Sequence, residues 1–305
     1  MDEIRPEPDP GKLEARYLAF LETISNLRPS LHRYCSRMTG SVMDGEDVVQ
    51  EALFQAYRKL EGFDDSRPLA PWLFRIAHNR CIDFLRRREV RAEAESAALE
   101  PDVVLPVDPA GPALGRAVEH LVLALPPKER ACVLLKDVFD YSLEEIADLV
   151  DSTVGGVKAA LHRGRAKLTD PPERVVPRRE TDAGQAALLH LYVERFNQRD
   201  WDGLRELIAD DARLRVMDRY IGPLAGAPYF WNYERWAFPW RLEVGEVEGA
   251  AVVLMRYRDS SGVEQKGVAR LEMGGDRVTS ISDYLHCPWV LPAANAVAVN
   301  ATRRT

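Results

Sequence analysis

The stretch STVGGVKAALHRGRAKL, residues 152–168, holds four Lys and Arg residues and no Asp or Glu, inside a 305-residue chain of formal net charge −7. Net charge describes an entire surface, whereas a polyanion responds to the local field of the face it meets. Lys158, His162, Arg163 and Arg165 are side chains that can neutralise phosphates and donate to base edges in a major groove. A solvated basic face on an amphipathic helix is the competing reading, and the absence of any acid over the run favours DNA.

A second cationic run lies between Arg67 and Arg91, where seven arginines face only Asp83 and Glu89. Phe63, Trp72, Phe74 and Phe84 are interleaved with it. Cations beside aromatic rings suit single-stranded nucleic acid, because phosphates are neutralised while unstacked bases find a ring. For Trp72 and Phe74 core packing is the alternative.

Other chemistry is less specified. His32 with Cys35, and His78 with Cys81, stand three residues apart, a spacing that two zinc-ligand pairs could use. Each cysteine also falls on an apolar helical row, so core packing is expected and no metal or cofactor is assigned. The segment YFWNYERWAFPW, residues 229–240, holds seven aromatics in twelve residues. It could line a pocket, plug a fold or grip another surface. With Asp218, Tyr284 and His286 it supplies a candidate pocket of Asp218, Tyr229, Trp231, Trp236, Tyr284 and His286. Asp218, Asp283 and His286 are expected on strands; alternation then puts Asp283 opposite Tyr284 and His286, so no acid–base pair is specified and no catalytic residue is named.

The elements that must position these groups follow from periodicity. Residues 13–91 read as helical throughout, with Pro71 in the first turn of the helix that carries the second cationic run. Prolines 101, 106, 109 and 112 make residues 96–112 a linker. Leu143, Ile146, Ala147 and Val150 mark one face of a short helix. Asp151–Thr153 then turn, with Ser152 or Thr153 capping the next helix, on which Val157, Leu161, Gly164 and Leu168 share an arc. Two short helices joined so tightly match a helix-turn-helix. A second linker at 171–180 precedes a stretch that opens as helix, continues through NQRDWDGLRELIADDARLRVMD and ends in four strands, LEVGEVE, AVVLMRYR, KGVARLEM and RVTSISDYL. The tail after Leu291 is expected to be disordered. The amino terminus lacks the features of a secretory signal and no apolar run approaches membrane-spanning length, so a cytoplasmic protein with reduced thiols and no membrane contact is expected.

Two segments carry a family resemblance. DGEDVVQEALFQAYRKLEGFDDSRPLAPWLFRIAHNRCIDFLRRR resembles region two of an extracytoplasmic function (ECF) sigma factor, and LPPKERACVLLKDVFDYSLEEIADLVDSTVGGVKAALHRGRAKL resembles region four. The resemblance implies a bacterial initiation factor, not an enzyme, that joins core RNA polymerase and directs it to promoters. It places Asp44, Glu46, Asp47, Gln50 and Glu51 on the clamp helices of the largest polymerase subunit. Phe63, Trp72, Arg75, Asn79, Arg80, Asp83, Arg86 and Arg87 map to melting and holding the minus-ten element, and Lys158, Ala159, His162, Arg163 and Arg165 to reading the minus-thirty-five element. The recognition helix departs from many relatives at Gly156, Ala159, Ala160 and Gly164, with a helix-propensity cost of roughly 1 kcal/mol for each internal glycine.

The last segment resembles the SnoaL-like polyketide cyclase fold, a cone of curved sheet closed by helices, which some ECF sigma factors carry as a regulator in cis and which could bind a small molecule. The expected architecture is therefore two all-α sigma domains, a region-two bundle over 1–95 and a region-four helix-turn-helix over 113–170, then an α+β cone over 181–290 and a tail over 291–305. Two other readings compete: a ligand-responsive DNA-binding regulator that never engages polymerase, and a SnoaL-like cyclase or isomerase with a helical appendage.

Overall fold

A computed structural model gives the fold over residues 10–64, 66–96, 123–169, 183–258, 261–294 and 297–299. Residues 97–112 of the first expected linker, the whole of the second, the prolines of both and residues 1–9 lie outside these. The described residues form two compact units, a helical one ending at Thr169 and an α+β one starting at Ala183.

In the helical unit α1 (Pro10–Thr39), α2 (Val42–Lys59) and α3 (Leu69–Ser96) pack on one another. Ser41 caps α2, its Oγ accepting the Asp44 N–H at 3.3 Å, which satisfies one of the first-turn donors. Gly45 lets α2 close on α1, since a Cβ there would meet the Ser36 backbone at 2.6 Å. Next come α4 (Pro127–Val133), running into a π-helical turn over Leu134–Val138, then α5 (Leu143–Leu149) and α6 (Val154–Thr169). Ser142 and Glu145 form a reciprocal cap at the start of α5, with N···O distances of 3.2 and 2.8 Å.

The sequence separates α1–α3 from α4–α6 by a linker, yet one hydrophobic core runs through both. Tyr34 and Phe74 meet Phe139 edge to face at 5.9 and 5.8 Å, Phe74 meets Tyr141 at 5.6 Å, and the Arg33 guanidinium lies 4.7 Å over the Phe139 ring. Arg130, almost fully buried, donates to the carbonyls of Met38, Leu123 and Leu125. A planar five-donor guanidinium can hold several carbonyls at once, as a lysine could not.

All four cysteines are buried, Cys35 and Cys81 on the apolar rows of their helices and Cys287 in the turn after β6. His32 donates to the Val42 carbonyl at 2.9 Å, and His78 shares a 2.8 Å hydrogen bond with the Tyr34 hydroxyl.

The α+β unit opens with α7 (Ala183–Gln198) and α8 (Trp201–Glu206), followed by β1 (Ile208–Val216), β2 (Tyr220–Pro223), α9 (Tyr229–Glu234), β3 (Trp240–Val247), β4 (Ala250–Arg258), β5 (Glu264–Gly274), β6 (Arg277–Asp283), α10 (Val290–Ala293) and β7 (Val297–Val299). The strands make one mixed sheet in the order β2-β1-β6-β5-β4-β3-β7, antiparallel except where β1 runs parallel to β6. The four strands expected from sequence are β3–β6.

Residues 208–216 form a further strand ahead of the four expected ones: pairing with β6 and β2 imposes alternation, burying Ala212 and Leu214 around exposed Arg213. Two expectations change. The tail is not featureless, because α10 follows Trp289 and β7 pairs with β3. Asp218 and His286 lie on turns instead of strands; Asp218 takes the left-handed region at φ 64° between β1 and β2.

Candidate nucleic-acid interface

On α6 the side chains divide by angle around the axis. Val157, Ala160, Leu161 and Gly164 are buried, while Gly155, Lys158, Ala159, His162, Arg165 and Ala166 form one exposed stripe at i, i+3, i+4 and i+7 spacing. Gly164 has a packing reason: a Cβ there would sit 2.9 Å from Val133 Cγ2 on α4. The helix start is held by Thr153, whose Oγ1 accepts the Gly156 N–H at 3.1 Å.

Arg163 is turned to the flank of that stripe. Its Nε donates to Glu129 Oε1 at 2.9 Å, and Lys167 Nζ donates to Glu129 Oε2 at 2.8 Å. Burial alone would raise the Glu129 carboxyl, but the Lys167 and Arg163 hydrogen bonds hold it below the usual carboxylate range. Arg165 makes a forked contact with Asp137, 3.1 Å from Nε to one oxygen and 2.5 Å from Nη2 to the other, and these bonds hold its proton more tightly than usual. Lys158 and His162 carry no side-chain partner among the described residues. Of the five expected readers, Lys158, Ala159, His162 and Arg165 therefore share one face, with Arg163 beside it. A shallow groove lined by Lys136, Leu143, Lys158, Leu161, His162 and Arg165 runs along that face.

On α3, Trp72, Arg75, Asn79, Asp83 and Arg86 follow one helical row, with Arg80 and Arg87 on the adjoining one. Phe63 reaches this helix from the preceding loop, its ring 4.7 Å from that of Trp72, both half-buried. Phe74 by contrast is core, 2% exposed. Arg80 donates to Gln55 at 2.8 Å and lies 3.5 Å from Asp83; Arg87 lies 3.6 Å from Glu51. Asn79 and Arg86 have no side-chain partner among the described residues.

On α2, Glu51 is exposed and Asp44 and Gln50 are half-buried. Glu46, expected on the docking face, is fully buried: it forms an ion pair with Arg28 and lies 4.0 Å from His32. It points inward because Arg28 on α1, itself 7% exposed, needs a counter-charge there. Asp47 is 8% exposed. The expected row of acids is thus divided between a surface and a buried tie.

In the α+β unit Tyr229, Phe230, Tyr233 and Trp240 of the segment 229–240 join the core formed by α7 and the sheet. Phe196 on α7 touches Trp201, Phe230, Tyr233 and Trp240 at ring distances of 5.2 to 6.0 Å. A small void remains, bounded by Tyr192, Phe196, Tyr229, Tyr233, Leu242, Val253, Met255, Val268, Ala269, Asp283 and Leu285. Tyr229 alone of the six expected pocket residues borders it. Trp231 is half exposed with Arg235 stacked 4.3 Å above it, Trp236 packs on Tyr257, and Tyr284 is buried. Asp218 and His286 do not reach the void. Burial, with the nearby Arg219 cation, lowers the His286 pKa against the opposing pull of Asp283 and Asp218.

Comparison with known proteins gives these surfaces a family. The description Sigma-70 region 2 matches residues 23–91, and Sigma-70, region 4 matches residues 115–168. The chain is 35% identical over 162 residues to the ECF RNA polymerase sigma factor SigW of Bacillus subtilis, covering 49% of this chain and 87% of that protein. It is 34% identical over 232 residues to SigG of Mycobacterium tuberculosis, covering 66% of this chain and 61% of that protein. The chain belongs to the ECF RNA polymerase sigma factor family. Among solved structures, the M. tuberculosis sigma factor SigJ aligns at 18% identity over 90% of this sigma factor and 99% of that chain, with a TM-score of 0.35. An NTF2-like protein from Burkholderia pseudomallei aligns at 18% over 37% and 99%, with a TM-score of 0.30. No helix among the described residues of this sigma factor is long and apolar enough to cross a membrane.

Sequence reasoning did not find Glu129 and Asp137, the acids that tie the arginines of α6. They are 34 and 28 residues from Arg163 and Arg165, on a helix whose placement no local pattern encodes. Arg28 was missed for the same reason.

Proposed function

We propose that the stripe of α6 reads the minus-thirty-five element, that Phe63, Trp72 and the polar row of α3 hold the melted minus-ten strand, and that the exposed part of α2 docks on the clamp helices of the largest polymerase subunit. The observation that supports it best is the exposed row Lys158, Ala159, His162 and Arg165 on a helix matched by region 4. Its small members, Ala159 and Ala166, suit contact with a thymine methyl, while the cations suit guanine and phosphate. Arg163 and Lys167 act at the rim, where a phosphate can compete with Glu129. Glu46 supports the docking helix from inside through Arg28, and Asp44, Gln50 and Glu51 make the contact. The α+β unit, a fused SnoaL-like domain, regulates the sigma unit in cis.

The test is transcription in vitro with purified core polymerase, using the full chain and a version ending near Thr181. A promoter-specific start from either one is expected; failure of both removes the reading. Core polymerase capture that survives charge reversal at Glu51 and Asp44 would instead favour docking elsewhere, and no capture at all would favour a DNA-binding regulator that acts without polymerase.

A further inference from the structure

We infer that Asp137 is a positioning residue for DNA contact: it holds the Arg165 guanidinium by one edge so that the other edge meets a pair of acceptors on the duplex. The inference rests on the reading of α6 as the helix that meets the minus-thirty-five element, and adds to it a residue from outside that helix. The acceptor pair is O6 and N7 of a guanine or two oxygens of one phosphate.

A guanidinium offers two parallel N–H pairs, one from Nε and Nη2 and one from Nη1 and Nη2. Asp137 takes the first pair whole, with Oδ2 3.1 Å from Nε and Oδ1 2.5 Å from Nη2. Nη1 makes no hydrogen bond among the described residues, and the Arg165 side chain stays 54% exposed, lining the groove with Lys158 and His162. The second pair is left for a ligand. Arg163 differs, because it gives Glu129 a single bond while Lys167 takes the other oxygen.

An exposed ion pair ordinarily contributes little, because both side chains must be ordered to form it. Here the carboxylate is anchored beforehand. Asp137 stands in the π-helical turn Leu134–Val138, where the Phe139 N–H reaches back to the Leu134 carbonyl at 3.2 Å and the Tyr141 N–H to that of Leu135 at 3.0 Å. Leu134 and Leu135 are buried, and the Phe139 ring packs on Tyr34 and Phe74. Turns of this kind recur at functional sites. A carboxylate held in this way restricts a long arginine before DNA arrives, which lowers the ordering cost of the contact. Its charge acts the other way, since an acid near a polyanion weakens binding. The two effects have opposite signs, so removing Asp137 tells them apart.

The experiment selects duplexes from a random-sequence pool with the full chain bound to core polymerase. Affinity for the selected duplex is then measured over a salt series, and with each guanine in turn replaced by a deaza analogue lacking N7. A guanine contact appears as a replacement that costs the wild type about tenfold and Arg165→Ala nothing. A phosphate contact appears as a salt slope lower by about 1 in Arg165→Ala. In either case Asp137→Ala should weaken binding through the same contact about threefold or more, despite the lost negative charge, and should cost nothing further in an Arg165→Ala background. Asp137→Glu, which keeps a forked acceptor, should recover part of the loss. Neither contact changed in Arg165→Ala, binding by Asp137→Ala as tight as wild type or tighter, or an equal loss with and without Arg165 would each overturn the inference and leave the reading of α6 in place. No preferred duplex from the wild type would remove that reading, and the inference with it.

Discussion

Two glycines on α6, more than two helical turns apart, respond in opposite ways to an added methyl. Gly155 is exposed, and a Cβ there would have only Thr153 Oγ1 nearby, at 3.9 Å, so Gly155→Ala should stabilise the helical unit by about 0.5–1 kcal/mol through helix propensity and unfolded-chain entropy. Gly164→Ala gains the same propensity but drives a methyl against Val133, and overpacking costs about 1–3 kcal/mol, so it should destabilise by about 1 kcal/mol net. Urea unfolding midpoints check both, and adding Val133→Ala to Gly164→Ala should recover part of the loss. His78 gives a pH signature. Burial lowers its pKa to about 4 against an ordinary value of 6.5, so the folded state prefers the neutral ring. Its contribution is present above pH 6.5 and lost as pH falls through about 4, a change of roughly 3 kcal/mol by linkage. His32 is lowered by burial as well and adds in the same direction. The urea midpoint of the helical unit should therefore fall over that window, and His78→Gln, which keeps an acceptor for Tyr34, should flatten the fall.

Among the elements, α6 is both a buried strut and an exposed reader, and the two roles separate by residue. Lys158→Ala and Arg165→Ala should each weaken binding to a minus-thirty-five duplex and lower the slope of log K against log salt by about 1 where the lost contact is to phosphate. Arg163→Ala should change affinity less than either, because its side chain is turned to the flank of the exposed stripe, towards Glu129, and does not lie on it. Fluorescence anisotropy over a salt series distinguishes them. The π-helical turn that ends α4 aims Asp137 at Arg165 and delivers Phe139 and Tyr141 to the rings of α1 and α3. Phe139→Ala removes three ring contacts and should cost about 3 kcal/mol or more, read as a lower urea midpoint of the helical unit.

For the molecule as a whole, two cores without shared side chains predict two unfolding transitions. Calorimetry of the full chain should resolve them, and a version ending near Thr181 should keep only the helical one. Removing residues 181–305 should also change promoter output at least twofold with purified core polymerase. Unaltered output would exclude regulation in cis while leaving the sigma activity in place.

Local order and local charge were legible in the residues themselves. The acid-free run 152–168, the spacing of Leu143, Ile146, Ala147 and Val150, and the Thr153 cap specify two short helices and an exposed cationic stripe, because helical periodicity and capping act over three or four residues. The strands β3–β6 were legible for the same reason, by alternation between turns. The long-range partner that each group meets was settled only in the packed fold. Ile208–Val216 is held as a strand by pairing with β6 and β2, and Glu46 leaves the docking face for Arg28. Asp283 gathers two tyrosine hydroxyls from 50 and 54 residues away. Such contacts are fixed by how whole elements pack, and packing is a property of the folded chain that no single window of sequence contains.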